Sequence, residues 1–216
     1  MLVRSLFINL VLTGLVAISA TAQDSKKASK FMVATANPVA SKVGYDILKR
    51  GGNAIDAMVA VQLMLNLVEP QSSGIGGGAF LLFYDAERNE VSSFDGRETA
   101  PLKAKGDLFL KEDGSPMKFF DGVVGGRSVG TPGTLKLLEV THKNFGSLPW
   151  GELIQPTIEL AENGFRVSKR MATSVERDAE QLRVFPVTKS YFFLNDGTLT
   201  RLDSFFIKRL IVFAHN

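Results

Sequence analysis

The chain of 216 residues has no cysteine, one tryptophan and two histidines. Without cysteine there is no disulfide, thiolate metal site, cysteine nucleophile or lipid-modified cysteine behind a leader, so the fold must be held by its apolar core. His142 and His215 are too few and too far apart for a metal cluster, and neither lies in an HExxH-like pattern, so neither a metal nor any other cofactor is expected. No serine sits in a GxSxG elbow, which removes the anchor for a hydrolase of that kind. Basic and acidic residues nearly balance, 25 against 22 for a net charge of +3, and no basic block is dense enough to suggest a nucleic-acid partner. Internal repeats, low-complexity segments and domain-splitting linkers are also missing. A hydrophobic content of 45% is enough to build the core of one ordinary domain, or of part of a larger one.

What is present begins with MLVRSLFINLVLTGLVAISATAQ: one early charge at Arg4, an apolar run from Leu6 to Ala20, and small residues at Ala20 and Ala22. This predicts a secretory leader over residues 1–22 and an exported protein, periplasmic or extracellular. The apolar run is shorter than the roughly 20 residues of a spanning helix and leads into polar QDSKKASK, so no stable membrane span is expected after cleavage. An uncleaved anchor is the alternative.

In NPVASKVGYDILKRGG, Pro38 opens a helix, Val39, Val43 and Ile47 recur at four-residue spacing, and Gly51 stands where a left-handed cap would sit. Asn53 then caps a helix from Ala54 to Val68 whose Asp56 faces the N-terminal partial charge. Asp56, Gln62 and Asn66 alone interrupt its apolar character, so both sides must be covered. Beyond Pro70, SSGIGGG leads into AFLLFYD, a run with the look of a buried strand, and after an AERN turn EVSSFD returns as its hairpin partner. KEDGSPM reads as a turn, and Thr131 with Pro132 opens a helix towards Asn144. SLPWGELIQPTIELAENG gives a further helix with a kink or break expected at Pro156, and Ser168 caps one more through Leu182.

Among candidate sites, SSGIGGG invites a phosphate-loop reading. The order is wrong for it: the glycines lie between a helix and a following strand, and the lysine and Ser/Thr of a P-loop are missing, so tight turning and close packing fit better. GRSVGTPG resembles a loop-to-helix junction, which is either an anion site or only a cap. His142 reads as an exposed or satisfied surface residue. Asp95, Glu98 and Asp121 cannot be paired for acid–base work from spacing alone. Arg97, in FDGRETAP just past the return strand, is held rigidly and can bind a carboxylate with two parallel bonds, yet its acidic neighbours also suit a structural ion pair.

Taken together, MVATANPVASKVGYDILKRGGNAIDAMVAVQLMLNLVEPQSSGIGGGAFLLFYD, FDGRETAP, SVGTPGTLKLLE and IQPTIELAENGF resemble the N-terminal half of the gamma-glutamyltranspeptidases, or glutathione hydrolases. The resemblance covers about Phe31 to Asp178, in order. It implies an α/β (α+β) fold, the αββα sandwich of an N-terminal nucleophile hydrolase, here incomplete, made as one precursor that cuts itself into a large and a small subunit. It implies that Arg97 holds the α-carboxylate of a γ-glutamyl group, with Asp95 and Glu98 orienting the guanidinium from behind. It further implies acyl transfer from glutathione and related amides by a threonine freed by self-cleavage, whose own α-amine serves as base.

No residue of this chain matches that threonine, so no catalytic residue is assigned within it, and Thr131 matches a large-subunit loop instead. After NDGTLTRLD, the apolar and basic SFFIKRLIVFAHN departs from the family pattern and has no obvious partner. The expected organisation is therefore a leader over 1–22, a partial large-subunit domain over 23–200 and a divergent tail over 201–216, from a truncated or frame-shifted gene. Such a chain would be silent unless a small subunit is supplied separately. A non-catalytic exported binder of γ-glutamyl compounds is the competing reading.

Overall fold

The computed structural model describes residues 27–198 and the backbone of Phe205–Phe206. Residues 1–32 and 33–216 form separate compact units. Of the first, residues 27–32 are described and carry bends without helix or strand; the leader and most of the tail lie outside the described residues.

The larger unit starts with α1, Pro38–Lys49. Asn37 caps it by accepting the Val39 N–H at 2.9 Å, and Pro38 occupies a first-turn position, where a missing N–H costs nothing. The chain leaves α1 through Gly51 at φ 98°, the left-handed exit that its sequence predicts. Next, α2, Ala54–Val68, opens with a reciprocal cap: Asn53 accepts from Ile55 and Asp56, while Asp56 accepts the Asn53 N–H at 2.9 Å.

Burial on both sides of α2 follows from its nearly continuous apolar sequence. Met64, Leu67 and Val68 pack with Ala40, Phe165 and Met171 in one core. Ala57, Val59 and Ala60 pack with Ile47, Leu137, Leu138 and Leu153 in a second. Each fully buried large apolar side chain contributes about 1.5–3 kcal/mol, and α2 contributes to both cores at once.

The hairpin forms as its sequence predicts. β1, Ala79–Asp85, and β2, Glu90–Gly96, pair antiparallel from Ala79↔Gly96 to Asp85↔Glu90. The strand expected to be buried is covered on one face. Ala79, Leu81 and Phe94 pack on the second core, while Phe80, Leu82 and Tyr84 are exposed. Side chains alternate along a strand, so helices packed against one face bury every second residue and leave the rest bare.

Downstream come α3, Phe119–Val123, a 3-10 turn at Gly126–Ser128, and α4, Thr134–Phe145. α4 starts later than Thr131 because that residue is engaged in a β-bridge with Thr99. α5, Trp150–Asn163, continues through Pro156, so of the expected kink or break the break does not occur. Proline there removes the donor for the Glu152 carbonyl, and Arg50 Nη2 supplies a replacement at 3.0 Å.

Then follow β3, Phe165–Arg166, and α6, Lys169–Arg177, capped by Ser168 as predicted. The helix expected to reach Leu182 breaks at Asp178, and α7, Ala179–Leu182, and α8, Pro186–Phe192, follow separately. Adjacent residues do not face each other on a helix, so the two-bond pairing of Arg177 with Asp178 accompanies departure from helical geometry. Phe205–Phe206, expected to lack a partner, forms β4 and pairs antiparallel with β3. Two two-stranded sheets result among the described residues.

At the end of α2, Glu69 is 2% exposed. Its carboxylate accepts from Asn37 Nδ2 at 2.8 Å, Gln71 Nε2 at 2.5 Å and Arg170 Nη1 at 2.9 Å, which ties together the starts of α1 and α6. A buried carboxylate is tolerated when its lone pairs are met in this way. Glu69→Ala strands the buried Asn37 amide and is expected to lower the unfolding free energy by about 2–3 kcal/mol in a urea titration, with Glu69→Gln costing less.

Candidate functional site

Three stretches meet where β2 ends. Thr99 and Thr131 exchange backbone bonds, Thr131 N–H to Thr99 O at 2.8 Å and Thr99 N–H to Thr131 O at 3.3 Å. The Gly77 carbonyl accepts the N–H groups of Gly133 and Thr134 at 3.0 and 3.1 Å. These contacts occupy the start of α4, so this junction is a cap filled by the protein's own backbone.

Glycine is required at two of these contacts. A Cβ on Gly133 would collide with the Gly96 carbonyl, and one on Gly78 would collide with the Glu98 carboxylate and backbone. Close packing thus requires glycine at Gly78 and Gly133, while Gly76 and Gly126 have open space where a Cβ would stand.

Arg97 emerges from this clamp with its side chain 62% exposed. Its Nε lies 3.4 Å from Glu98 Oε2, an oxygen otherwise closed off from solvent and without a hydrogen bond among the described residues. Glu98 thus lies beside the guanidinium on its Nε side. Asp95 acts differently: its Oδ1 accepts the Arg97 backbone N–H at 2.9 Å, so it fixes the turn and not the guanidinium. Among the described residues Nη1 and Nη2 make no hydrogen bond, which leaves the two-pronged end of the side chain available.

Arg97 borders a cleft of about 280 Å³ that also takes in Phe94, Asp95, Thr131, Pro132 and Lys136. The sequence singled out Arg97 and Asp95 but missed Lys136, whose distance of 39 positions from Arg97 in the chain carries no local signal. Asp121 is exposed on α3, away from the residues bordering the cleft.

Lys136 donates to Glu139 at 2.8 Å, and Lys143 donates to the other oxygen at 2.5 Å. Those bonds, the one from Lys136 first, bring the Glu139 carboxyl down from 4.5 to about 2. His142, expected at the surface, is mostly enclosed: Nε2 donates to the Leu148 carbonyl at 2.9 Å, lies 3.7 Å from Asp56 Oδ1, and the ring meets Trp150 edge-on. Asp56 itself is fully buried and also accepts the Ser147 N–H at 3.0 Å, binding α2 to the turn before α5. No group of three or more potential metal ligands occurs among the described residues.

The fold has counterparts in solved structures. A cephalosporin acylase from Bacillus halodurans superimposes with a TM-score of 0.68 at 24% identity, covering 87% of this chain and 37% of that one, a likeness of fold. The fold thus falls among the structural relatives of the N-terminal nucleophile hydrolases. The likeness is more specific to Helicobacter pylori gamma-glutamyltranspeptidase, with a TM-score of 0.80 at 34% identity over 85% of this chain and 52% of that chain.

The Gamma-glutamyltranspeptidase family model matches residues 40–210, and the chain belongs to that family. The "Glutathione hydrolase proenzyme" of Bacillus subtilis (strain 168) is 44% identical over 179 residues, 83% of this chain and 30% of that protein. The chain thus spans about 30% of the length of this curated relative.

Gly133→Ala is expected to push β2 from α4 and lower the unfolding free energy by about 1–3 kcal/mol, the usual range for overpacking, with the Arg97 backbone amide shifted in NMR spectra. Glu139 should titrate near 2 by carbon-detected NMR, and Lys143→Gln should raise that midpoint. Because its folded value is depressed, the stabilisation from this carboxylate is present above its ordinary 4.5 and is lost as pH falls towards about 2.

Proposed function

We propose that this chain supplies the carboxylate-binding arm of a γ-glutamyl acyl-transfer site, with Arg97 holding the α-carboxylate of the substrate. The observation that carries this reading is the exposed guanidinium, with Glu98 beside its Nε and no hydrogen bond at either terminal nitrogen among the described residues, on a backbone clamped at the rim of a cleft. A guanidinium so positioned recognises a carboxylate through two charge-assisted bonds and orients whatever the carboxylate is attached to.

The family resemblance supplies the reaction. A threonine hydroxyl attacks the γ-amide carbonyl while its own α-amine takes the proton; the tetrahedral oxyanion collapses, and the departing amine receives that proton. Water or an amine then releases the γ-glutamyl group from the acyl-enzyme. In this reading the threonine lies in the part of the relatives outside the matched 30%. Glutathione and related γ-glutamyl amides are the proposed substrates.

The bare face of the β1–β2 hairpin, with Phe80, Leu82 and Tyr84, is assigned to the interior of a complete αββα sandwich. The leader-like N-terminus assigns the protein to the periplasm or the exterior of the cell.

The purified chain is expected to release no chromophore from a γ-glutamyl anilide, and turnover by it alone would overturn the assignment of the nucleophile. Grafted in place of the matched region of a full-length relative, the chain is expected to support turnover. Arg97→Ala in that graft should then lower kcat/KM about a hundredfold, the loss of a two-bond charged contact, and unchanged kinetics would sink the role of Arg97.

A further inference from the structure

We propose that Lys136 is a second anion receptor in the Arg97 cleft, so that the site selects γ-glutamyl compounds carrying a second carboxylate over those with a neutral leaving side. The proposal rests on the reading of Arg97 as the receptor for the α-carboxylate.

Lys136 and Arg97 border the same cleft, brought there from α4 and from the end of β2. The placement of Lys136 is unusual for a purely structural residue. It lies in the first turn of α4, a turn without any acidic residue, where the helix already presents partial positive charge. A lysine there works against helix stability, and an anion beside it offsets that cost.

The ion pair with Glu139 does not tie Lys136 down. Glu139 is served independently by Lys143 on its other carboxylate oxygen, so Lys136 can turn to a ligand without leaving Glu139 unpaired. Its side chain is 71% exposed and borders two clefts, the one with Arg97 and a neighbouring one shared with Glu139 and Lys143, so the amine has to turn from Glu139 to meet a ligand beside Arg97. Asp95 does border it, but one of its oxygens is engaged by the Arg97 N–H.

The rest of the lining combines apolar Phe94, Pro132, Leu137 and Val140 with polar Thr99 and Thr131 and the carboxylate of Asp95. Two cations on one partly apolar cleft match a short ligand with methylenes and a carboxylate at each end. A volume of about 280 Å³ lies at the small end of ligand clefts and suits a compound of one or two residues.

The test is calorimetric titration of the full chain with γ-glutamylglycine, with its C-terminal amide, and with L-glutamine, which carries an α-carboxylate and no second one. The wild-type chain is expected to bind γ-glutamylglycine roughly three- to tenfold more tightly than the amide, as one partly exposed charged contact allows. Lys136→Gln should erase that ratio while leaving affinity for the amide and for L-glutamine unchanged. Arg97→Ala should weaken all three ligands alike.

Equal binding of acid and amide by the wild-type chain, or a preference that survives Lys136→Gln, overturns the proposal. In either case Arg97-dependent binding of L-glutamine leaves the reading of Arg97 standing. Conversely, a Lys136-dependent preference in a chain whose affinity for all three ligands is unchanged by Arg97→Ala sinks the Arg97 reading and, with it, the two-receptor site. Failure of the wild-type chain to bind γ-glutamylglycine at all also overturns the proposal.

Discussion

The close approach of Gly133 to the Gly96 carbonyl is the constraint on which the site depends. It lets the end of a sheet strand lie directly against the start of a helix, with no side chain between them. The Gly77 carbonyl accepts from the first two N–H groups of that junction, and the Thr99–Thr131 bridge closes the other side. Arg97 lies between these fastenings, so its backbone is fixed while its side chain reaches outward. Rigid backbone with a free charged end is the property that recognition of a carboxylate requires.

The same economy governs the buried carboxylates. Asp56 and Glu69 lie at opposite ends of α2, both removed from solvent and both met by donors from distant parts of the chain. Each converts a helix end, where backbone groups lack partners, into a joint with neighbouring elements. α2 is thereby held at both ends by polar bonds and along its length by two apolar cores. The hairpin that positions Arg97 packs on one of those cores through Leu81 and Phe94, which connects the burial of α2 to the placement of the site.

Local chemistry was legible wherever a nearby residue decided the outcome. Caps at Asn53 and Ser168, the left-handed exit at Gly51 and the hairpin from Ala79 to Gly96 depend on neighbours a few positions away. Misreadings arose where a distant group intervened. Arg50 takes up the carbonyl that Pro156 leaves free, so α5 continues; Leu148 satisfies the His142 ring beside Asp56, so of the two expected states, exposed or satisfied, the satisfied one holds with the ring mostly enclosed. The outward face of β1 has the composition of a buried strand because composition records what a strand can bury, not what lies against it.

By itself the sequence determined the order and type of most elements and the family, because capping, periodicity and motif spacing are properties of short stretches. Only the tertiary structure decided that Asp95 serves the backbone, that Glu98 touches the guanidinium on one side, and that Lys136 shares its cleft. Those relations depend on which groups approach across the junction of β2 with α4. That approach is set by packing among residues far apart in the chain, where sequence spacing carries no distance.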